Sequence, residues 1–121
     1  MKYILVTGAY GGMGRATIRK LSERGFGVFA LDKKVEAAER NVFPIEVDIT
    51  DEASLLAAAE QIKQTTSELY AIIHFAGIYM LDSLVEMEKT DFERIFQINV
   101  FGAYLVNKTF LPFLHHGSRI I

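Results

Sequence analysis

The 121-residue chain contains no cysteine, which excludes both a disulfide framework and a thiolate metal site. No apolar stretch approaches the roughly 20 residues that a membrane-spanning helix needs. The opening MKYILVTG has the charge of a signal peptide, but its glycines arrive too early and no cleavage region follows. A cytoplasmic protein with no membrane partner is expected. An excess of one charge is also lacking. The formal net charge is -2, and Lys and Arg are scattered without a long run, which argues against nucleic acid as a partner. Repeats, low-complexity tracts and linkers are missing too. With 50% hydrophobic residues, the chain reads as one domain over residues 1–121 with a genuine core.

Apolar runs punctuated by glycines and helical segments are what the chain does contain. KYILVT, FGVFALD, NVFPIEVD and LYAIIHF are continuous runs, each ending near a polar residue or a glycine, and are expected to be strands. Gly14 to Arg24 has helical character and is closed by Gly25, while DEASLLAAAEQIKQ is a second helix with Thr50 or Asp51 as N-cap. Strands apolar on both faces and separated by helices build a parallel sheet covered on both sides, an α/β doubly wound arrangement. A loop with a turn of helix is expected around residues 82–89. Thr90 and Glu93 then have capping-box spacing ahead of one long helix over residues 91 to about 115. In that helix Phe92, Ile95, Phe96, Val100 and Ala103 form one stripe, with Ile98, Phe101, Leu105 and Phe113 outside it, so two surfaces must cover it. SRII reads as the opening of a fifth strand.

The segment TGAYGGMG places four glycines in eight positions between a strand and a helix. Taken alone it is either a tight strand-to-helix turn or a cradle for phosphate, since a helix N-terminus offers unpaired N–H groups and the positive end of its dipole. The fingerprint G-x-G-x-x-G fits poorly from Gly12, because Thr17 stands at the third glycine. The spacing T-G-x-x-x-G-x-G fits completely, through Thr7, Gly8, Gly12 and Gly14. This resembles the cofactor loop of the short-chain dehydrogenase/reductase family. The likeness continues with Asp32 closing the second strand, VDIT (Val47 to Thr50), HFAG (His74 to Gly77) and FQINVFG (Phe96 to Gly102).

The resemblance implies a Rossmann-like sheet of order 3-2-1-4-5, here reaching only the start of its fifth strand, with the family's catalytic C-terminal part absent. It implies a cofactor site at Gly8, Gly11, Gly12, Met13, Gly14, Asp32, Asp48, Ile49, Ala76 and Gly77, and a catalytic Asn at Asn99. Asp32 is able to accept hydrogen bonds from both ribose hydroxyls and would repel a 2′-phosphate, which favours NAD over NADP. Lys33 and Lys34 are able to host a phosphate, but Gly11 stands where NADP-preferring relatives often carry a basic residue. Asp48 either bonds the adenine amino group or caps the helix that follows. His74 and Phe75 depart from two asparagines of the family; His74 is expected to tie neighbouring strands and Phe75 to fill core. His115 and His116 read as a solvated helix end.

The implied reaction is hydride exchange between a nicotinamide and a hydroxyl/carbonyl pair of a small-molecule alcohol or ketone, with a Tyr, a Lys four residues later and a Ser supplying the proton chemistry. Those residues are expected beyond the fifth strand, so this chain alone should be inactive. Tyr104 and Lys108 share the Y-x-x-x-K spacing, yet on an ideal α-helix Tyr104 lies about 140° around from Asn99. Tyr104 is read as packing or interface. A homo-oligomer through the helix over residues 91–115 is expected, with Phe101, Tyr104 and Leu105 as contacts. The alternative is a non-catalytic nucleotide-binding or interaction module.

Overall fold

A computed structural model describes residues 1–121 and orders five parallel strands as β3-β2-β1-β4-β5. They are β1 (Tyr3–Thr7), β2 (Gly27–Asp32), β3 (Val42–Glu46), β4 (Ala71–His74) and β5 (Arg119–Ile120). Side chains alternate across a strand, so each run feeds two cores. Leu5, Phe29, Leu31, Ile45 and Ile72 face one side and pack with Leu55 and Ile62 of α2 (Glu52–Lys63). Ile4, Val6, Val28 and Ala30 face the other side and pack with Ile18 of α1 (Gly12–Glu23). Runs apolar on both faces thus become a sheet covered on both faces, the 3-2-1-4-5 arrangement expected of a doubly wound fold.

Several boundaries differ from the sequence reading, each for a physical reason. Helix α1 starts at Gly12, two residues early, because Gly11 is extended (φ −77°, ψ 179°) and serves as its N-cap. The capping box at Thr90 and Glu93 does not form. Glu88 is the extended N-cap of α3 (Lys89–Phe96), and Glu93 instead lies 3.6 Å from Lys89 one turn earlier.

The single long helix is not continuous. After α3 the chain widens into a π-helical segment (Gln97–Gly102), returns to α in α4 (Ala103–Phe110) and tightens into a 3₁₀ turn (Leu111–Phe113). Pro112 lacks the N–H that would bond one turn back, so the α ladder ends there rather than near residue 115.

This widening changes which residues are buried. Gly102, Val106 and Phe110 are buried, whereas Phe92, Phe96, Val100 and Tyr104 are exposed; both series repeat every fourth residue. At 3.6 residues per turn a four-residue repeat rotates by about 40° at each step. A wider turn absorbs part of that drift and keeps each series on its own face. Leu105, expected at an interface, is therefore 2% exposed and packs in the core beside Val106, while Tyr104 is 54% exposed. The ideal angle of 140° does not apply across the π segment. Leu105→Ala should cost about 2–5 kcal/mol of stability by leaving a core cavity, and Tyr104→Ala well under 1 kcal/mol. Urea unfolding of the two variants checks the assignment.

Candidate functional site

The turn after β1 holds together the carboxyl ends of three strands. Thr7 is fully buried, its carbonyl accepts from the Phe75 N–H at 3.0 Å and its hydroxyl from the Ala76 N–H at 3.3 Å. The Ala9 N–H donates to the Leu31 carbonyl at 3.2 Å, and the Tyr10 N–H to Asp32 Oδ2 at 3.0 Å. Gly8 has φ +61°, and a Cβ there would lie 2.6 Å from the Ala76 nitrogen and the Phe75 carbonyl carbon. Any side chain would drive β1 away from β4. At Gly12 the opposite holds, since a Cβ would meet nothing within 4 Å. No side chain caps α1, so the N–H groups of its first turn, Gly12 to Gly14, remain free for an anion.

A cleft of about 320 Å³ opens beside this turn, lined by Gly8, Gly11, Asp32, Asp48, Ile49, Ala76 and Gly77 among others. Met13 is exposed and Gly14 buried in the first turn of α1. Seven of the residues singled out from sequence therefore meet in one cleft, and Gly12, Met13 and Gly14 form the adjoining helix end. The cleft also takes in Lys33, Thr50 and Phe75, which the sequence reading mentioned only beside the site, and Ile78, Arg94 and Ile98, which it left out. Helical spacing was the usable signal for the last two, four residues apart and so on one face. Phe75 also packs on the core, as expected.

Both carboxylates in the cleft are oriented by backbone N–H groups. Asp32 Oδ1 accepts from the Lys33 N–H at 2.8 Å and Oδ2 from Tyr10, leaving each oxygen a further lone pair. Asp48 does not cap α2; Asp51 does, accepting from the Ala53 N–H at 3.1 Å. Asp48 Oδ1 instead accepts from the Thr50 hydroxyl at 2.6 Å and the Thr50 N–H at 2.9 Å, and Oδ2 lies 4.0 Å from Lys33 Nζ. The Thr50 hydroxyl first, then its N–H, with a smaller contribution from Lys33, hold the Asp48 carboxyl below its usual pKa of 3.8. His74 is satisfied, though through Asn107 of α4 (Nε2 to Oδ1, 2.8 Å) and not through a neighbouring strand.

A profile described as short chain dehydrogenase matches residues 2–121. The chain belongs to the short-chain dehydrogenase family. It is 32% identical over 126 residues to the 3-amino-tetrahydro-pyrrolizinone reductase of Xenorhabdus hominickii, covering 99% of this chain and 44% of that protein. It is 27% identical over 115 residues to the NADPH-dependent 1-acyldihydroxyacetone phosphate reductase of Schizosaccharomyces pombe, covering 90% and 39%. The structure of the 3-ketoacyl-(acyl-carrier-protein) reductase from Brucella melitensis complexed with NADH matches with a TM-score of 0.83 at 28% identity, covering 93% of this chain and 50% of that one. The chain thus spans about half or less of the length of these relatives.

In this short-chain dehydrogenase chain Asn99 is bound to the loop that follows β4. Its Oδ1 accepts from the Ile78 N–H at 2.8 Å and its Nδ2 donates to the Ile78 carbonyl at 2.7 Å, while a Cβ at Gly77 would lie 3.1 Å from Oδ1. Asn99 thereby positions Gly77 and Ile78 at the cleft wall. Tyr104 lies elsewhere, in an apolar groove with Phe92, Phe96, Val100 and Phe101. Lys108 sits 6.0 Å from its ring centroid and 3.8 Å from Glu52.

The lowered Asp48 pKa has a defined pH consequence. A depressed carboxylate contributes stability that is fully present above its unfolded pKa and is lost as pH falls through the folded value. Thr50→Val removes the larger cause, so Asp48 should titrate at higher pH in the variant, and acid unfolding should begin at higher pH. Carboxyl-carbon NMR titration checks the shift directly.

Proposed function

We propose that this chain is the dinucleotide-binding half of an oxidoreductase that exchanges hydride between a nicotinamide cofactor and a hydroxyl/carbonyl pair of a small molecule, using NAD in preference to NADP. The observation that carries the preference is Asp32, held by two backbone N–H groups at the end of β2 with a free lone pair on each oxygen. Such a carboxylate suits two ribose hydroxyls and repels a 2′-phosphate. Gly11 beside it has no side chain to receive that phosphate. One relative is named for NADPH and another is complexed with NADH, so the choice within the family rests on residues like these.

The fit to a dinucleotide extends along the cleft. The uncapped first turn of α1 suits a pyrophosphate, and Ile49 and Ile98 with the Asp48 carboxylate suit an adenine, apolar on its faces and a donor at its amino group. The cofactor supplies the hydride chemistry when bound; the residues of this chain bind and orient it. The residues lining the cleft suit the cofactor, and the proton chemistry of an alcohol or ketone is expected from a Tyr–Lys pair elsewhere in the whole enzyme. Calorimetry should show NAD(H) binding more tightly than NADP(H), with Asp32→Ala narrowing the gap and neither cofactor turned over by the chain alone. Tighter NADPH binding, or turnover abolished by Tyr104→Phe, would overturn this reading.

Self-association belongs to the same proposal. Phe92, Phe96, Val100, Phe101 and Tyr104 present a contiguous exposed apolar face, of the kind that drives association in water. A second copy of the chain would cover it across a two-fold axis. Light scattering at micromolar concentration should show a dimer, and Phe96→Glu, at an exposed position, should yield a folded monomer. A clean monomer of the unaltered chain would refute the association.

A further inference from the structure

The link between β2 and β3, residues 33–40, carries a charge arrangement that the cofactor site described above does not use. Arg15, in the first turn of α1, contacts Glu36 through Nη1 and Oε2 at 2.5 Å, with the two side chains 52% and 51% exposed. The same guanidinium lies 5.8 Å from the centroid of the Tyr10 ring. Tyr10 in turn donates its backbone N–H to Asp32, so a single residue links the two groups: its ring meets the Arg15–Glu36 pair and its backbone holds the carboxylate at the ribose position. The Tyr10 hydroxyl is buried beside the Glu36 backbone. Burial first, and then the negative charges of Glu36 and Glu39, raise its pKa.

Two cations flank this corner, and both already face a carboxylate. Lys33 is 4.0 Å from Asp48, a loose pair; Arg15 is hydrogen-bonded to Glu36. The difference matters, because a guanidinium presents a planar fork of donors suited to phosphate, and a fork held by a carboxylate is no longer free to make that contact. Without Glu36, Arg15 would be an unpaired guanidinium against the Tyr10 ring at the rim of the cleft, and an Arg near the ribose is what accommodates a 2′-phosphate.

We propose that Glu36 is a specificity-determining residue: by holding Arg15 and adding its own negative charge at the Tyr10–Asp32 corner, it withholds a phosphate-binding guanidinium from the cofactor's 2′ position. The inference rests on the reading that the cleft binds a nicotinamide dinucleotide. On this account the preference for NAD has two sources. Asp32 acts at the ribose itself, and Glu36 acts through Arg15. The pair is half exposed and worth little to stability, so its effect is on discrimination and not on folding.

Titration calorimetry of the whole chain with NAD and with NADP, at low and at high salt, tests this. Glu36→Gln should lower the ratio of the NADP to the NAD dissociation constant about tenfold at low salt, and the gain should shrink at high salt, as expected of an exposed charge acting on a phosphate. Adding Arg15→Ala to Glu36→Gln should cancel the gain. An unchanged ratio in Glu36→Gln with NAD binding intact overturns the proposal and leaves the NAD-binding reading standing. A gain that survives Arg15→Ala also overturns it, assigning the phosphate to Lys33 or Lys34. Binding of neither dinucleotide by the unaltered chain overturns the functional reading and this inference together.

Discussion

The approach of the Gly8 backbone to the end of β4 is the contact on which the rest of the site depends. Adjacent parallel strands require their connections to leave the sheet, and at the centre of the order, between β2 and β4, the chain leaves β1 through a turn with no room for a Cβ. Because Gly8 sits against Phe75 and Ala76, Thr7 is able to bond both, and α1 begins directly above the carboxyl edge. Gly14 serves the same packing from the helix side, where a Cβ would collide with the backbone of Gly8 and Ala9. The crevice at this point, where the strand order reverses direction, is where open α/β sheets bind ligands. The glycines are thus divided in function: Gly8 and Gly14 let backbones touch, and Gly12 leaves space.

Once that crevice exists, its electrostatics follow from how the strand ends are terminated. Asp32 closes β2 and Asp48 lies just past β3, and both are held by N–H groups of the following residues. A carboxylate held by backbone donors keeps its orientation without a cation, which leaves its remaining lone pairs for a ligand. Positive charge in the cleft comes from the uncapped end of α1, from Lys33, which is loosely paired with Asp48, and from Arg94, whose guanidinium has no carboxylate within salt-bridge distance. The cleft therefore carries separated patches of opposite sign and is not uniformly basic, in keeping with the net charge of -2. A ligand with a central anion and hydroxyl or amino groups toward one end fits that pattern.

Much of this was legible in the residues themselves, for reasons that also explain what was not. Strands such as YILVT and GVFALD are stiff, apolar on both faces and bounded by glycine or aspartate, so period and punctuation agree, and sheet order follows from the family likeness. The glycine spacing and Asp32 were visible because each is tied to a fixed position, the glycines at the strand-to-helix turn and the carboxylate at the end of β2. Ile78 and Arg94 were not, because each reaches the cleft only through tertiary placement. Glu36 is the extreme case: a glutamate in a short loop has no local signature, and its pairing with Arg15 spans 21 residues of chain. His74 shows the same limit. Its half-buried, satisfied state was foreseeable, but its partner Asn107, 33 residues away, was not.

The helical stretch over residues 89–113 marks where periodic reasoning itself failed, because it assumed 3.6 residues per turn throughout. A straight α-helix would have spread the four-residue repeat at Phe92, Phe96, Val100 and Tyr104 around about a third of its circumference. The π segment at Gln97–Gly102 holds those residues on one face and turns Gly102, Val106 and Phe110 inward. The same widened turn contains Asn99, bonded to both backbone groups of Ile78, and Gly102, where a Cβ would meet the Ile49 side chain at 2.6 Å. Such segments recur at functional sites because the irregular turn re-aims side chains that a regular helix would bury elsewhere. Here the same turn serves two surfaces: its exposed side carries Val100 and Phe101 of the apolar face, and its other side carries Asn99 and Gly102, which contact Ile78, Gly77 and Ile49 at the cleft wall.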